Sequence, residues 1–205
     1  MLVAEKILIR PFGTAEYQPT VEAMRDFTAR RGADTPDELW LLEHPPVYTL
    51  GLAADPAHGP QAGGAIPVVQ VERGGEVTYH GPGQVVLYTL VDLARRGIRV
   101  KQFVAMLEQS VIDLLGSRAE RMPGAPGIYV AGAKVAALGI RVSRGCAYHG
   151  LALNVDMDLA PFAEIDPCGY PGMQVTQTRD LGIADSKEVL GARLAALLAG
   201  MLERA

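Results

Sequence analysis

The sequence predicts an α+β fold, a mixed β-sheet flanked by helices within a single domain spanning residues 1–205. Three observations point there. Short runs of strand character outnumber the stretches of helical period. The two kinds do not alternate strictly, which disfavours a doubly wound sheet built from strand–helix units. Several strand runs are apolar on both parities, as expected of a sheet covered on both faces.

A first strand is expected at Ile7–Arg10, followed by a helix in which Val21, Met24 and Phe27 fall on one face. Pro19 is tolerated only in a first turn and so places its start near Gln18. Glu38–Leu42 and Val47–Leu50 read as strands. Residues Ala53 to Pro67 carry Pro56, Gly59, Pro60, Gly63 and Gly64, a composition suited to a long surface loop between two strands rather than a domain boundary. Strands Val68–Glu72 and Val85–Asp92 follow. Val100, Phe103, Val104, Leu107, Val111, Leu114 and Leu115 then recur at helical spacing, with Gly116 where a C-terminal cap belongs. Three more strands are expected at Gly127–Val130, Val135–Val142 and Ala147–Val155. The chain closes on a helix with a stripe of Leu190, Leu194, Leu197, Leu198 and Met201, for which Asp185 is the expected N-cap and Glu188 the residue three further on. No period of 20 to 50 residues repeats, which excludes a solenoid or propeller.

With 205 residues, 49% of them hydrophobic, the chain can bury a core without staples. Its 19 basic and 23 acidic side chains give no global positive field for nucleic acid. Two cysteines cannot form a disulfide framework. No apolar run reaches the roughly 18 residues of a membrane span, and Met1 to Lys6 lacks the apolar run of a signal peptide. The expectation is a soluble, cytoplasmic protein. Charge is uneven locally: Met122 to Val155 contains no acid but holds Lys134, Arg141 and Arg144, and Arg95 to Lys101 carries four cations. These are either solvated faces or a positive site that steers an anionic partner.

The segment Arg73-Gly74-Gly75-Glu76-Val77-Thr78-Tyr79-His80-Gly81-Pro82-Gly83-Gln84 packs four glycines among polar handles directly after a strand. Glycines let a ligand approach the backbone, although a glycine-rich hairpin would carry the same composition. A dinucleotide fingerprint fails, because the third glycine is missing and a strand follows where a helix must start. No Gly-Lys-Ser or Gly-Lys-Thr phosphate loop occurs. Cys168 lies in the turn-rich stretch Ile165 to Gly172, where a thiol would be accessible; Cys146 opens a strand and reads as a packing residue. Cys146 and His149 have zinc-like spacing, but in a strand they face opposite sides and no second pair matches. The papain-type cysteine signature is absent as well. Lys134 shares strand parity with Ala136, Leu138, Ile140 and Val142, which puts an ammonium at the head of an apolar face unless it snorkels to the surface.

Together, Arg73 to Gln84, Lys134 with Leu138-Gly139, His149-Gly150-Leu151-Ala152-Leu153-Asn154-Val155, and Asp166-Pro167-Cys168-Gly169 resemble, in order and spacing, the lipoate-biosynthesis octanoyltransferases. Glu43 to Gly51 is similar to the N-terminal segment of that family, so the likeness runs roughly from Leu39 to Gly169. The resemblance implies a fold like the catalytic domain of biotin and lipoate protein ligases. It implies transfer of an octanoyl group from octanoyl-acyl carrier protein to a lysine of lipoyl domains, those of 2-oxoacid dehydrogenase complexes and the glycine cleavage H protein. Cys168 would be the acyl-thioester nucleophile and Lys134 its partner. Arg73, Gly74, Gly75, Glu76, Val77, Thr78, Tyr79 and His80, with Ala137, Leu138, Gly139, Gly150, Leu151 and Ala152, would line the acyl pocket.

His149 is a candidate supporting residue, and by their chemistry His80 and His149 could orient donors toward the thioester oxyanion, although the sequence assigns neither a role. The residues within Arg144 to Tyr148 depart from the family and place a spare thiol, Cys146, near the pocket. The implied chemistry is coherent. A cysteine relay splits one hard acyl transfer into two easier steps, and a thioester donor needs neither ATP nor any other cofactor. The rivals are an ATP-dependent lipoate or biotin ligase on the same fold and a non-catalytic module that binds an acyl group or its carrier.

Overall fold

The computed structural model describes residues 6–60, 63–166 and 172–205. Strand β1 (Leu8–Thr14) runs parallel to β2 (Glu38–Glu43), and helix α1 (Tyr17–Arg30) connects them. Then come β3 (Val47–Leu50), β4 (Val68–Gln70), β5 (Val77–His80), β6 (Gln84–Asp92) and α2 (Val100–Leu115). The chain continues through β7 (Ala119–Met122), β8 (Ala125–Val130), β9 (Ala133–Ser143), β10 (Cys146–Asn154) and α3 (Lys187–Glu203). A seven-stranded sheet has the order β1-β2-β6-β10-β9-β8-β7 and is antiparallel except at β1/β2; a smaller one has the order β4-β3-β5. The mixed sheet flanked by helices is therefore present as expected.

The central strands explain why both parities are apolar. Along β6, Val85, Leu87 and Val91 pack with Phe103 and Leu107 of α2 and Leu190 and Leu194 of α3. Their neighbours Val86, Tyr88 and Leu90 pack on the opposite face with Tyr17, Val21 and Met24 of α1. Each such buried side chain contributes about 1.5–3 kcal/mol, so the two helical layers fix the register of the sheet between them. Gly116 ends α2 at φ +78°, as its position predicts.

The differences are local and physical. Strand β5 escapes a reading by alternation because glycines bracket its four residues, and β7 because its Glu120-Arg121-Met122 is exposed at a sheet edge. Strand β1 runs on past Pro11, which an edge strand with a bulge accommodates. The N-cap of α3 is Ser186, whose hydroxyl accepts from the Val189 amide, and not Asp185, which instead pairs with Arg193 at 2.9 Å. Arg95 and Arg96 do not form a docking surface. They converge with Arg31 on Asp37, a fully buried carboxylate, at 3.0 Å for Arg95 and 2.5 Å for Arg96. Arg144 is likewise engaged, donating to the Ala29 carbonyl at 2.8 Å, while Arg99, Lys101 and Arg141 are exposed. Among the described residues no helix is long and apolar enough to cross a membrane.

Candidate active site

Arg73 shapes one wall of the site. Its buried guanidinium donates to the Gly74 and Glu76 carbonyls at 3.0 and 2.9 Å, and to the backbone and hydroxyl oxygens of Thr49, both at 2.8 Å. These bonds curl the glycine-rich segment onto β3, and the Gly74 amide then reaches across to the Ile140 carbonyl of β9 at 2.9 Å. The approach needs glycine on the other side: a Cβ on Gly139 would lie 2.7 Å from the Gly74 oxygen.

Between this segment and strands β9 and β10 lies a cavity of about 380 Å3. That is a volume typical of small-ligand sites. Of the residues expected to line an acyl pocket, Arg73, Gly74, Gly75, Glu76, Val77, Thr78, His80, Ala137, Leu138, Gly139, Gly150, Leu151 and Ala152 border it. Tyr79 does not: its ring packs 5.5 Å from both Tyr48 and Phe162. Tyr17, Val86 and Tyr88 also line the cavity, although their helical and strand positions mark them only as core.

Lys134 lines the same cavity and is buried, so it does not snorkel. A bulge brings it there. Ile128 pairs with Ala136 but Tyr129 with Lys134, so Val135 is the extra residue and the strict alternation with Ala136 and Leu138 is broken. Lys134 thus lies beside Tyr129, with Nζ 5.3 Å from the ring centroid, and donates to the Pro126 carbonyl at 3.2 Å. A Cβ on Gly127 would come within 3.0 Å of its Cε. Its main chain is bonded on both sides to a later segment: its amide to the Gln174 carbonyl at 2.8 Å, and its carbonyl to the Thr176 amide at 2.9 Å. Cys168 lies outside the described residues. The described chain before it is fixed by the Asp166 amide bonding the His58 carbonyl at 3.0 Å. Cys146 is buried away from the cavity wall, and burial followed by the nearby Asp92 pushes its thiol up, which makes it a poor nucleophile.

Hydrogen bonds fix the form of two histidines. His44 Nδ1 faces the Ala15 carbonyl at 2.6 Å and must donate, so Nε2 accepts from the Tyr88 hydroxyl at 2.8 Å. Gln84 donates its amide nitrogen to the Tyr79 carbonyl at 3.2 Å and to Asn154 Oδ1 at 3.0 Å. Its oxygen therefore accepts from His80 Nδ1 at 2.7 Å, and His80 keeps a lone pair on Nε2. From that atom His80 can receive a hydrogen bond but cannot donate one.

Burial holds the pKa of His44 at about 4 and those of His80 and His149 at about 3, below the ordinary 6.5. Between those values and 6.5 the unfolded chain binds protons that the folded chain does not, so stability falls as the pH drops below about 6.5. Each histidine removes about 1.4 kcal/mol per pH unit in that window. Urea midpoints measured from pH 7 to 5 should therefore decline steeply, and a flat profile would show that the histidines titrate in the fold.

Residues 17–194 match the family described as the lipoyl protein ligase A/B catalytic domain. The chain is 62% identical over 185 residues to an octanoyltransferase of Thiobacillus denitrificans, covering 89% of this chain and 84% of the relative. The chain belongs to this family, among the octanoyltransferases. A second octanoyltransferase relative, from Dechloromonas aromatica, is 55% identical over 200 residues, with 96% and 97% of the two chains covered. The family's fold extends to a lipoate-protein ligase A bound with ATP, at a TM-score of 0.70 and 12% identity over 97% of this chain and 93% of that one. It extends also to the apo biotin protein ligase of Aquifex aeolicus, at a TM-score of 0.59 and 11% identity over 96% and 70%.

Proposed function

We propose that this octanoyltransferase-family chain moves an octanoyl group from octanoyl-acyl carrier protein to a lysine of lipoyl domains through an acyl-thioester on Cys168, acting as one domain. The acceptors are those of 2-oxoacid dehydrogenase complexes and the glycine cleavage H protein. The observation that carries this reading is a lysine buried at an apolar cavity and bonded through its main chain to residues 174–176, just beyond the cysteine motif.

The Cys168 thiolate attacks the donor's carbonyl carbon; a carbon–sulfur bond forms to Cys168, the one to the carrier breaks, and the leaving sulfur takes a proton from the Lys134 ammonium, which releases the carrier's thiol and leaves Lys134 neutral. The acceptor amine then attacks the acyl-enzyme, an amide forms, and the Cys168 thiolate leaves. The cation of Lys134 favours the thiolate in the first step. As a neutral amine it takes the proton from the acceptor in the second. The ligase reading has less support, because the ligases share 11–13% identity with the chain whereas the octanoyltransferases share 50–62%. The test is to mix the protein with octanoyl-acyl carrier protein and a lipoyl domain without ATP. Octanoylation of the lipoyl domain is expected; activity only with free octanoate and ATP would establish a ligase instead.

Lys134→Arg separates the two roles, since it keeps the charge but removes a base that can be deprotonated near neutral pH. The variant should form the acyl-enzyme and pass it to the acceptor about 100-fold more slowly. Single-turnover mass spectrometry reads both steps, and undiminished transfer would reduce Lys134 to a fixed charge.

A further inference from the structure

We propose that His149 is the stop at the far end of the acyl channel and sets the length of chain the enzyme accepts; this rests on the octanoyl-transfer reading. Strict alternation along β10 would send His149 to the α2/α3 face with Ala147 and Leu151. It does not go there. Its φ is +61°, a left-handed conformation that costs a non-glycine residue free energy. Pairing with β6 lapses at Tyr148 and His149 and resumes at Gly150, and the Thr89 hydroxyl takes up the His149 carbonyl at 2.9 Å.

The ring is thereby turned onto the cavity side. It stacks on Tyr148 at 5.2 Å and meets Tyr88 edge-on at 5.8 Å, with both tyrosines in the cluster beneath α1. Its Nε2 is buried with no hydrogen-bond partner among the described residues. Backbone strain and an orphaned polar atom at a cavity wall call for a compensating role, and blocking the channel supplies one.

The dimensions agree. His149 pairs with Ile140, six residues along β9 from Lys134; with Val135 bulged this is about five strand steps, a separation of roughly 17 Å at about 3.3 Å per residue. Contact distances of about 3.5–4 Å at each end, with the imidazole itself, take up roughly half of it. What remains suits an octanoyl chain, whose seven carbon–carbon bonds of about 1.5 Å span roughly 9 Å in zigzag. Ala137, Gly139, Gly150 and Ala152 keep the intervening walls low.

His149→Gly tests the stop, because glycine accepts the left-handed backbone without strain while the ring is removed. His149→Asn is the second variant, since asparagine also tolerates that conformation. With octanoyl, decanoyl and dodecanoyl carrier proteins as donors, the decanoyl-to-octanoyl ratio of kcat/KM should rise about tenfold in either variant, as two more methylenes become buried. A ratio unchanged in a folded variant, or wild-type enzyme that already takes dodecanoyl as readily as octanoyl, would overturn the proposal and leave octanoyl transfer standing. Wild-type enzyme that transfers no acyl group from any of the three donors would overturn octanoyl transfer itself, and the stop with it.

Discussion

Cys168→Ala should lower octanoyl transfer by on the order of a thousandfold or more, because loss of the nucleophile removes the covalent route rather than one contact within it. Thermal unfolding should not change, which a melting curve of the variant checks. Cys146→Ala should keep most of the activity, as the Cys146 thiol is buried away from the cavity wall. Steady-state rates with octanoyl-acyl carrier protein and a lipoyl domain distinguish the two. Near-normal turnover by the Cys168 variant would end the covalent mechanism.

The second large effect is on stability. Asp37 is fully buried and gathers Arg31, Arg95 and Arg96, and it also accepts from the Asp92 amide at 2.8 Å. Arg96 in turn donates to the Leu202 carbonyl at 2.8 Å, so this one carboxylate joins the loop after α1, the end of β6 and the end of α3. Asp37→Ala removes the counter-charge of the buried Arg31 guanidinium and takes one partner from Arg95 and Arg96, a change that costs about 3–5 kcal/mol. The melting temperature should fall by about 10 °C, at roughly 2–4 °C per kcal/mol for a chain of this size. A loss below about 1 kcal/mol would mean that water or other carbonyls satisfy these arginines equally well.

The same arginines show what a sequence can and cannot convey. Arg95 and Arg96 stand in a cationic run, and nothing local says that Asp37, some 58 residues earlier, lies between them. Long-range pairing is invisible to composition, whereas the period of α2 and the two-sided apolarity of β6 are local properties and are legible. The cavity beside the glycine-rich segment shows the same division. Its glycines are readable because close backbone approach demands them, and the motif around Gly139 and Gly150 sits where it is needed. Lys134 is legible as a residue, but the bulge that turns it toward Tyr129 depends on pairing with β8. Alternation fails at His149 for a related reason, since a left-handed backbone at a residue other than glycine leaves no mark in the local apolar pattern. The tautomer of His80 follows from Gln84 and Asn154, the latter 70 residues further along.

The most direct test of the account is to incubate the protein with octanoyl-acyl carrier protein alone, digest it, and locate the acyl group by mass spectrometry. One octanoyl group on Cys168, removed when a lipoyl domain is added, is the predicted result. Octanoyl on Cys146 or Lys134, or transfer to the lipoyl domain without any acylated enzyme, would contradict it.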